Sequence, residues 1–369
     1  MTQSLSVKCK LIVPVELRHE IDTTLQGFAD ACNQILDVAK QQNCWNTTKL
    51  HHLVYKPVRE VTGLKANHVC QAIRRVIGNA KAVKQVHKFR PTSLSLDVRT
   101  FKYVEESQTV GVTLKSGRVQ LALSIGGYQI ALLRGQILTS ATLNQTRQGD
   151  YYINFVVEFD TPPTGQTPKV IGVDLGLCDI ATTSCGKAWD GRQLQATRAK
   201  YARVRSSLQS KRTRGSRRVL KRLSGKEQRF QKNINHTISR QLVNEAKQTG
   251  SAIAFEELTG IRNRTKVKGS KQRRIRHSWA FYQLRLFTNY KAAMAGVPVL
   301  LVNPRYTSQT CHCCLHIGNR QAKSFKCVNP KCGWIGDADH NAANVISRIG
   351  GSVSNPERPF LSCLLDAQV

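Results

Sequence analysis

The chain has 369 residues and carries 56 Lys and Arg against 23 Asp and Glu, a formal net charge of +33. A one-signed field of that size costs self-repulsion that folding does not require, so it points to a polyanionic partner. The basic residues recur along the chain without a basic amphipathic helix beside an apolar anchor. The longest apolar run of the C-terminal half, 297–302, is too short to span a bilayer. Nucleic acid is therefore expected as the partner, and a membrane is not.

MTQSLSVKCKLIVPVEL at the N-terminus has no secretory apolar core with a cleavage site, which predicts a cytoplasmic, nucleoid-associated protein. Residues 9–15 then read as a short strand. From 20 to about 88 the pattern turns helical: Leu25, Phe28, Cys32, Ile35 and Leu36 share one face, as do Ala66, Val69, Cys70, Ile73, Val76 and Ile77. The spacing predicts a small helical bundle. Its polar faces carry Arg74, Arg75, Lys81, Lys84, Lys88 and Arg90, which read either as phosphate contacts or as a solvated surface.

From 91 to 159 the period shortens to two, with Val119, Leu121, Leu123 and Ile125 alternating with polar positions, and likewise Ile153, Phe155, Val157 and Phe159. Turn signals at Ser116-Gly117, Gly126-Gly127 and Gly149-Asp150 separate the runs, and a β-barrel or sandwich is expected. A proline-rich linker follows at 161–168. Beyond it the chain reads as α/β, with strands at 170–173, 178–183, 251–255 and 297–302 and long basic helical segments between them. Residues 198–232 hold fourteen Lys or Arg and one acid, Glu227. Arg203, Arg205, Lys211, Arg212, Arg217, Arg218, Lys221 and Arg222 from this run are candidate nucleic-acid contacts. A second basic run, 262–276, contains Arg273 and Arg274 and lacks apolar periodicity, so it reads as a mobile loop.

Of twelve cysteines only those at 311–332 are patterned. Cys9, Cys32, Cys44, Cys70, Cys178, Cys185 and Cys363 read as reduced thiols, mostly filling the core. Cys311 and Cys314 form one knuckle and Cys327 and Cys332 a second, and four thiolates so paired suit a single structural Zn2+. Cys313 stands beside Cys314 as an alternative ligand, and His312 and His316 lie close. Lys323, Lys326 and Lys331 are expected to contact nucleic acid.

Three carboxylates end a strand or open a helix beside an apolar stretch: Asp174, Glu256 and Asp339. Carboxylates clustered in that way repel one another unless cations neutralise them, and Mg2+ does so while keeping water and phosphate as its other ligands. Two such ions suit phosphodiester cleavage. Glu257 and Asp337 are rival carboxylates, although strand alternation sets Glu257 on the face opposite Glu256.

KVIGVDLGLCDIATTS, SAIAFEELTG, YKAAMAGVPVLLVNPRYTSQTC and CGWIGDADHNAANVI resemble, in order, the split RuvC nuclease domain of the TnpB family, transposon-encoded proteins related to compact type V CRISPR effectors. The resemblance covers 169–349 by motif and the remainder by layout. It implies an α/β fold: a RuvC/RNase H-like nuclease domain in two parts, 169–310 and 335–349, with a zinc ribbon inserted at 311–334. Before it would come a β-barrel (wedge) domain, 1–19 and 91–160, carrying a helical recognition domain at 20–90, and after it a poorly ordered tail, 350–369. The resemblance implies Asp174, Glu256 and Asp339 as ligands of two Mg2+ or Mn2+ ions. Here Leu315 stands where glycine often follows the second cysteine, and four residues separate Cys327 from Cys332.

His236 resembles a recurring family position for which packing or phosphate contact is expected. Thr307, Ser308 and Gln309 are expected to orient the first knuckle or touch the target strand. The function so implied is an RNA-guided DNA endonuclease of an insertion sequence. Its partners would be a guide RNA from the transposon end and double-stranded target DNA beside a short adjacent motif. A nuclease-inactive RNA-guided regulator and a DNA-only transposition accessory protein are the alternatives. No heptad pattern or long apolar face demands a dimer, so a monomer is favoured.

Overall fold

A computed structural model describes residues 2–83, 85–163, 167, 169–176, 178–258 and 281–354. The basic run 262–276, with Arg273 and Arg274, lies outside the described residues, as do Lys84 and Cys363. The chain divides into two compact units, one of Thr2–Asp160 and one from Thr161 onward.

In the first unit, β1 (Thr2–Ile12) is longer than the sequence suggests and ends sooner, because Pro14 caps α1 (Val15–Gln41). Proline has no N–H to lose and its fixed φ suits a helix entry. α2 (Thr47–Thr62) opens on Asn46, whose side chain accepts from the backbone N–H groups of Thr48 and Lys49. It closes on Gly63 at φ 62°, and α3 (Ala66–Ala82) follows. Leu25, Phe28, Cys32, Ile35, Val69, Ile73, Val76 and Ile77 all bury, as their helical spacing requires.

Seven strands complete this unit: β1, β2 (Ser93–Asp97), β3 (Phe101–Val104), β4 (Thr109–Thr113), β5 (Arg118–Ser124), β6 (Ser140–Gln145) and β7 (Tyr151–Asp160). Their order is β2-β6-β7-β1-β5-β4-β3, with β1 central and antiparallel to both neighbours. Six spacings of roughly 4.8 Å would hold the edges of a flat sheet about 29 Å apart. Yet the edge strands β2 and β3 are consecutive, joined by residues 98–100 alone, a reach of about 15 Å at most. The sheet must therefore curl, and no ladder joins β2 to β3 among the described residues. It is an open curled sheet in place of the expected closed barrel. A short helix, α4 (Gly127–Leu133), replaces the turn expected at Gly126-Gly127, with Gln129 Oε1 accepting the Gly126 N–H at 3.2 Å.

The second unit is built on a five-stranded sheet of order β10-β9-β8-β11-β12, with β8 (Val170–Asp174), β9 (Asp179–Thr183), β10 (Ala188–Asp190), β11 (Ala252–Glu256) and β12 (Val299–Val302). β11 runs parallel to both β8 and β12, and β9 runs antiparallel to β8. The helices are α5 (Arg192–Lys211), α6 (Arg214–Leu223), α7 (Lys226–Thr249), α8 (Phe281–Ala295) and α9 (Ala338–Ser354). Residues 350–354, expected in a disordered tail, belong to α9, and residues beyond 354 are outside the described set.

Alternation along the strands sorts the sheet into two faces. Ile171, Val173, Ile253 and Phe255 pack with Ile238, Leu242 and Val243 of α7 and Leu284 and Ala292 of α8. Val170, Ala254, Leu300 and Val302 pack instead with Ile346 and Ile349 of α9. The approach of α9 is close: a Cβ on Gly172 would lie 2.0 Å from the Ala343 carbonyl and 2.4 Å from the Ser347 N, so only glycine fits. No helix of the described residues is long and apolar enough to cross a membrane.

Candidate functional site

Asp174 and Glu256 lie one position beyond the paired residues Val173 and Phe255 on neighbouring parallel strands. Counting by twos from Gly172 and Ala254 puts both carboxylates on the face covered by α9. They stand at the carboxyl ends of β8 and β11, where open α/β sheets form their crevices. Asp339 comes to the same place from the first turn of α9, and Asp174 and Asp339 are both nearly buried, at 9% and 6% exposure. Burial, then the Glu256 and Asp339 charges, push the Asp174 carboxyl up to about 7. Burial also raises Glu256 and Asp339.

The rival carboxylates are accounted for. Asp337 caps α9: its Oδ1 accepts the backbone N–H groups of Asp339 and His340 at 2.9 and 2.8 Å. Glu257 faces away and pairs with Arg285 of α8 at 2.8 Å.

Three neighbours of the site were not assigned to it by the sequence. Thr307, 2% exposed, donates its hydroxyl to Glu256 Oε1. Arg320 Nη2 donates to Asp339 Oδ1 at 2.6 Å, and its charge lowers all three carboxyls. Asp179 adds a fourth negative charge near Asp339 and is held at 2.5 Å by Lys323. Arg320 carries no sequence signal, since its partner is 19 residues away across a hairpin.

A hairpin of β13 (Gly318–Gln321) and β14 (Ser324–Cys327) links the two cysteine pairs, and β15 (Ile335–Asp337), after the second pair, completes a three-stranded sheet. The ligand atoms of Cys311, Cys314, Cys327 and Cys332 lie within 4.8 Å of one another, the one such set of potential metal ligands among the described residues. Sulfur separations of 3.8 Å (Cys311 to Cys332) and 3.4 Å (Cys314 to Cys327) are close to the roughly 3.8 Å edge of a tetrahedral Zn–S4 centre. Cys313 is outside this set, with its sulfur 3.4 Å from His312 Nε2. His312 is held through its N–H and Nδ1 by Asn341 Oδ1, both at 2.9 Å, while His316 Nδ1 meets the Cys314 carbonyl at 3.1 Å.

The candidate nucleic-acid contacts divide by what they touch. Arg203, Lys211, Arg212, Arg217, Arg218, Lys221 and Arg222 are exposed on α5, α6 and the turn between them, and so is Arg74 on α3. Arg205 pairs with Glu227, which also receives Arg198 at 3.8 Å. Arg75 bonds to the Ser93 carbonyl and hydroxyl at 3.0 and 2.9 Å and covers the Phe28 ring, so it braces its own unit. Ser308 is half-buried, and Gln309 is exposed while its carbonyl accepts the Gly318 N–H at 2.7 Å. Lys323, Lys326 and Lys331 are exposed. His236 stacks on Phe287 at 3.9 Å between ring centres, a packing role, and burial with two lysines nearby holds its imidazole down to about 4.

Residues 154–258 match the family model described as "Probable transposase", and residues 281–346 match "Cas12f1-like, TNB domain". A TnpB-like protein of Methanocaldococcus jannaschii is 33% identical over 147 residues, 39% of this chain and 52% of that protein. The CRISPR-associated endodeoxyribonuclease Cas12f1 of Sulfoacidibacillus thermotolerans is 31% identical over 234 residues, 58% of this chain and 53% of that one. The chain spans about half the length of these curated relatives. Among solved structures, a Cas12f1–sgRNA–target DNA complex aligns with a TM-score of 0.65 at 15% identity, over 91% of this chain and 83% of that one, so the chain has a Cas12f-like fold.

Proposed function

We propose that this chain is an RNA-guided DNA endonuclease of an insertion sequence, cutting target DNA by metal-dependent phosphodiester hydrolysis in a RuvC-like site. The observation that carries the reading is that Asp174 and Glu256 end neighbouring parallel strands on the face covered by α9, whose first turn carries Asp339 close enough for its charge to act on Asp174, in a TnpB-like chain with a net charge of +33. The donor set fits hard divalent cations: three carboxylates with raised pKa values in a largely buried crevice, where the nearest neutralising group is the single guanidinium of Arg320. Asp174, Glu256 and Asp339 would hold two Mg2+ or Mn2+ ions. Bound there, such ions supply an activated water and neutralise charge at the phosphodiester.

The chain's own residues do the rest. Parallel register fixes Asp174 beside Glu256, Thr307 holds the Glu256 carboxylate in one orientation, and the Asp337 cap fixes the first turn of α9 that presents Asp339. The exposed arginines and lysines of α5 and α6 suit backbone phosphates, contacts that give affinity without reading sequence. Guide RNA pairing would then select the target, as it does in RNA-guided effectors generally. The four thiolates suit one structural Zn2+. A wedge role for the curled sheet, with its helices as a recognition module, and a cytoplasmic, nucleoid-associated location belong to the same reading.

The test is co-expression with the flanking transposon DNA, sequencing of any co-purifying RNA, and assay with Mg2+ on a plasmid library carrying a guide-matched target beside randomised bases. Cleavage that needs guide, metal and Asp174 is the expected result. Specific RNA with tight binding and no cleavage would replace the reading with a regulator, and absence of RNA would replace it with a DNA-only accessory protein.

A further inference from the structure

We infer that Arg320 is a built-in counter-ion of the carboxylate site, competing with divalent metal for Asp339 and released from it when metal binds. This rests on the nuclease reading and concerns how its site is loaded.

Asp339 is almost wholly buried, and one of its two oxygens is taken by the Arg320 guanidinium at 2.6 Å. A buried carboxylate that bonds an arginine at that distance has a satisfied charge and needs no second cation. A divalent ion on the same oxygen would stand within a few ångströms of a guanidinium that cannot deprotonate, and the two like charges repel. One of them must give way.

The structure gives Arg320 a route out. Its side chain is 30% exposed against 9% for that of Asp339. A second contact is weak, Nε to the Ala322 carbonyl at 3.4 Å within the same hairpin turn. The backbone is anchored: Arg320 pairs with Phe325 across β13 and β14, and Phe325 is fully buried among the cysteines of the ribbon. An anchored strand thus carries one long, partly exposed side chain to the carboxylates. The cysteine ribbon then does more than brace α9, because it delivers the charge that keeps the site neutral before loading. Lys323, on the same hairpin, is the natural control: it bonds Asp179 and none of the three carboxylates proposed as ligands, so its charge reaches Asp339 without a contact.

The experiment is Mn2+ binding to the zinc-loaded full chain at about pH 8 without nucleic acid, followed by electron paramagnetic resonance of free Mn2+, for wild type, R320Q, K323Q and D339N. Competition predicts that R320Q binds Mn2+ at least about tenfold tighter than wild type, K323Q changes affinity less than about twofold, and D339N loses a site. Equal or weaker binding by R320Q overturns the proposal, and so does an equal gain in K323Q, which would mean diffuse charge. If wild type, R320Q and K323Q all bind no Mn2+, the metal-site reading fails together with the proposal, whereas binding by wild type that D339N weakens leaves that reading intact. In case R320Q fails to fold, the Arg320 Nε–H resonance of wild type is followed during Mg2+ titration. A shift saturating with the metal supports release, and an unchanged resonance at saturation overturns it.

Discussion

Asn341 Nδ2 donates to the Thr310 carbonyl at 2.7 Å, while Oδ1 of the same amide accepts from both His312 N–H and His312 Nδ1. One fully buried amide therefore clamps the first turn of α9 to the segment entering the first cysteine knuckle. Asp339 lies two residues before it, so the ribbon and the carboxylate site share a joint. An unmade bond at a buried amide costs about 1–3 kcal/mol. Asn341→Leu is expected to lower stability by that amount and to reduce cleavage, and thermal unfolding with a cleavage assay on the soluble fraction checks both.

Metal removal from the ribbon should propagate through the same joint. Four thiolates brought together without a cation are costly, and metal affinity at such a site is folding free energy. Cys327→Ser, or a strong chelator, is expected to release zinc, lower the melting temperature and abolish cleavage. Cys313→Ser should retain one zinc per chain, because its sulfur lies outside the four-thiolate set. Elemental analysis decides between them, and loss of zinc in Cys313→Ser would reassign the ligand.

Each of Asp174→Asn, Glu256→Gln and Asp339→Asn is expected to reduce cleavage by roughly 100-fold or more, the scale of losing one transition-state electrostatic contact. RNA binding should survive in all three, since the exposed basic residues of α5 and α6 are untouched. Near-normal cleavage by any of them would falsify its place in the site.

Thr307→Val keeps the shape and removes the hydroxyl that holds Glu256. A hydrogen bond to a charged group is worth about 1.5–3 kcal/mol, so kcat is expected to fall roughly 10- to 100-fold with little change in KM. Thr307→Ser should restore most of it. Equal loss in the serine variant would mean that the methyl group, through packing, is what matters.

The raised Asp174 carboxyl makes stability depend on pH. Its folded value of about 7 lies above the ordinary 3.8, so the folded state holds the proton more tightly. Stability from this group is full below about pH 4 and is lost as pH rises through 7, up to about 4 kcal/mol for a shift of that size. Without divalent metal, the melting temperature should fall between pH 5 and 8 by more in wild type than in Asp174→Asn. Added Mg2+ should flatten the wild-type curve. A parallel fall in the two proteins would remove Asp174 as the source.

Local chemistry was legible in the residue order. The two cysteine pairs declared a residue type and spacing that suit a metal, while the strand VIGVD, the acid ending AIAFE and the run DADHNAA marked their carboxylates through resemblance to a family motif. Helical spacing marked which faces of α1 and α3 would bury, and period-two alternation marked β5 and β7. Alternation also set Glu257 opposite Glu256, as its pairing with Arg285 bears out. That the curled seven-stranded sheet stays open was not legible, because β2 and β3 gave no sign that they would be edges of one sheet without pairing. The α4 helix was hidden behind Gly126-Gly127, whose turn signal also serves as a helix start.

The sequence by itself determined the charge, the ligand types and the local elements, because these depend on residue identity and on neighbours a few positions away. Only the tertiary structure set what surrounds each carboxylate. Register between β8 and β11 put Asp174 beside Glu256, the close approach of α9 over Gly172 set the first turn that carries Asp339, and Asp337 is taken up in capping that turn. Arg320 and Thr307 joined the site for the same reason: their partners are far away in the chain, and side chains so separated meet only where strand register and helix packing bring them together.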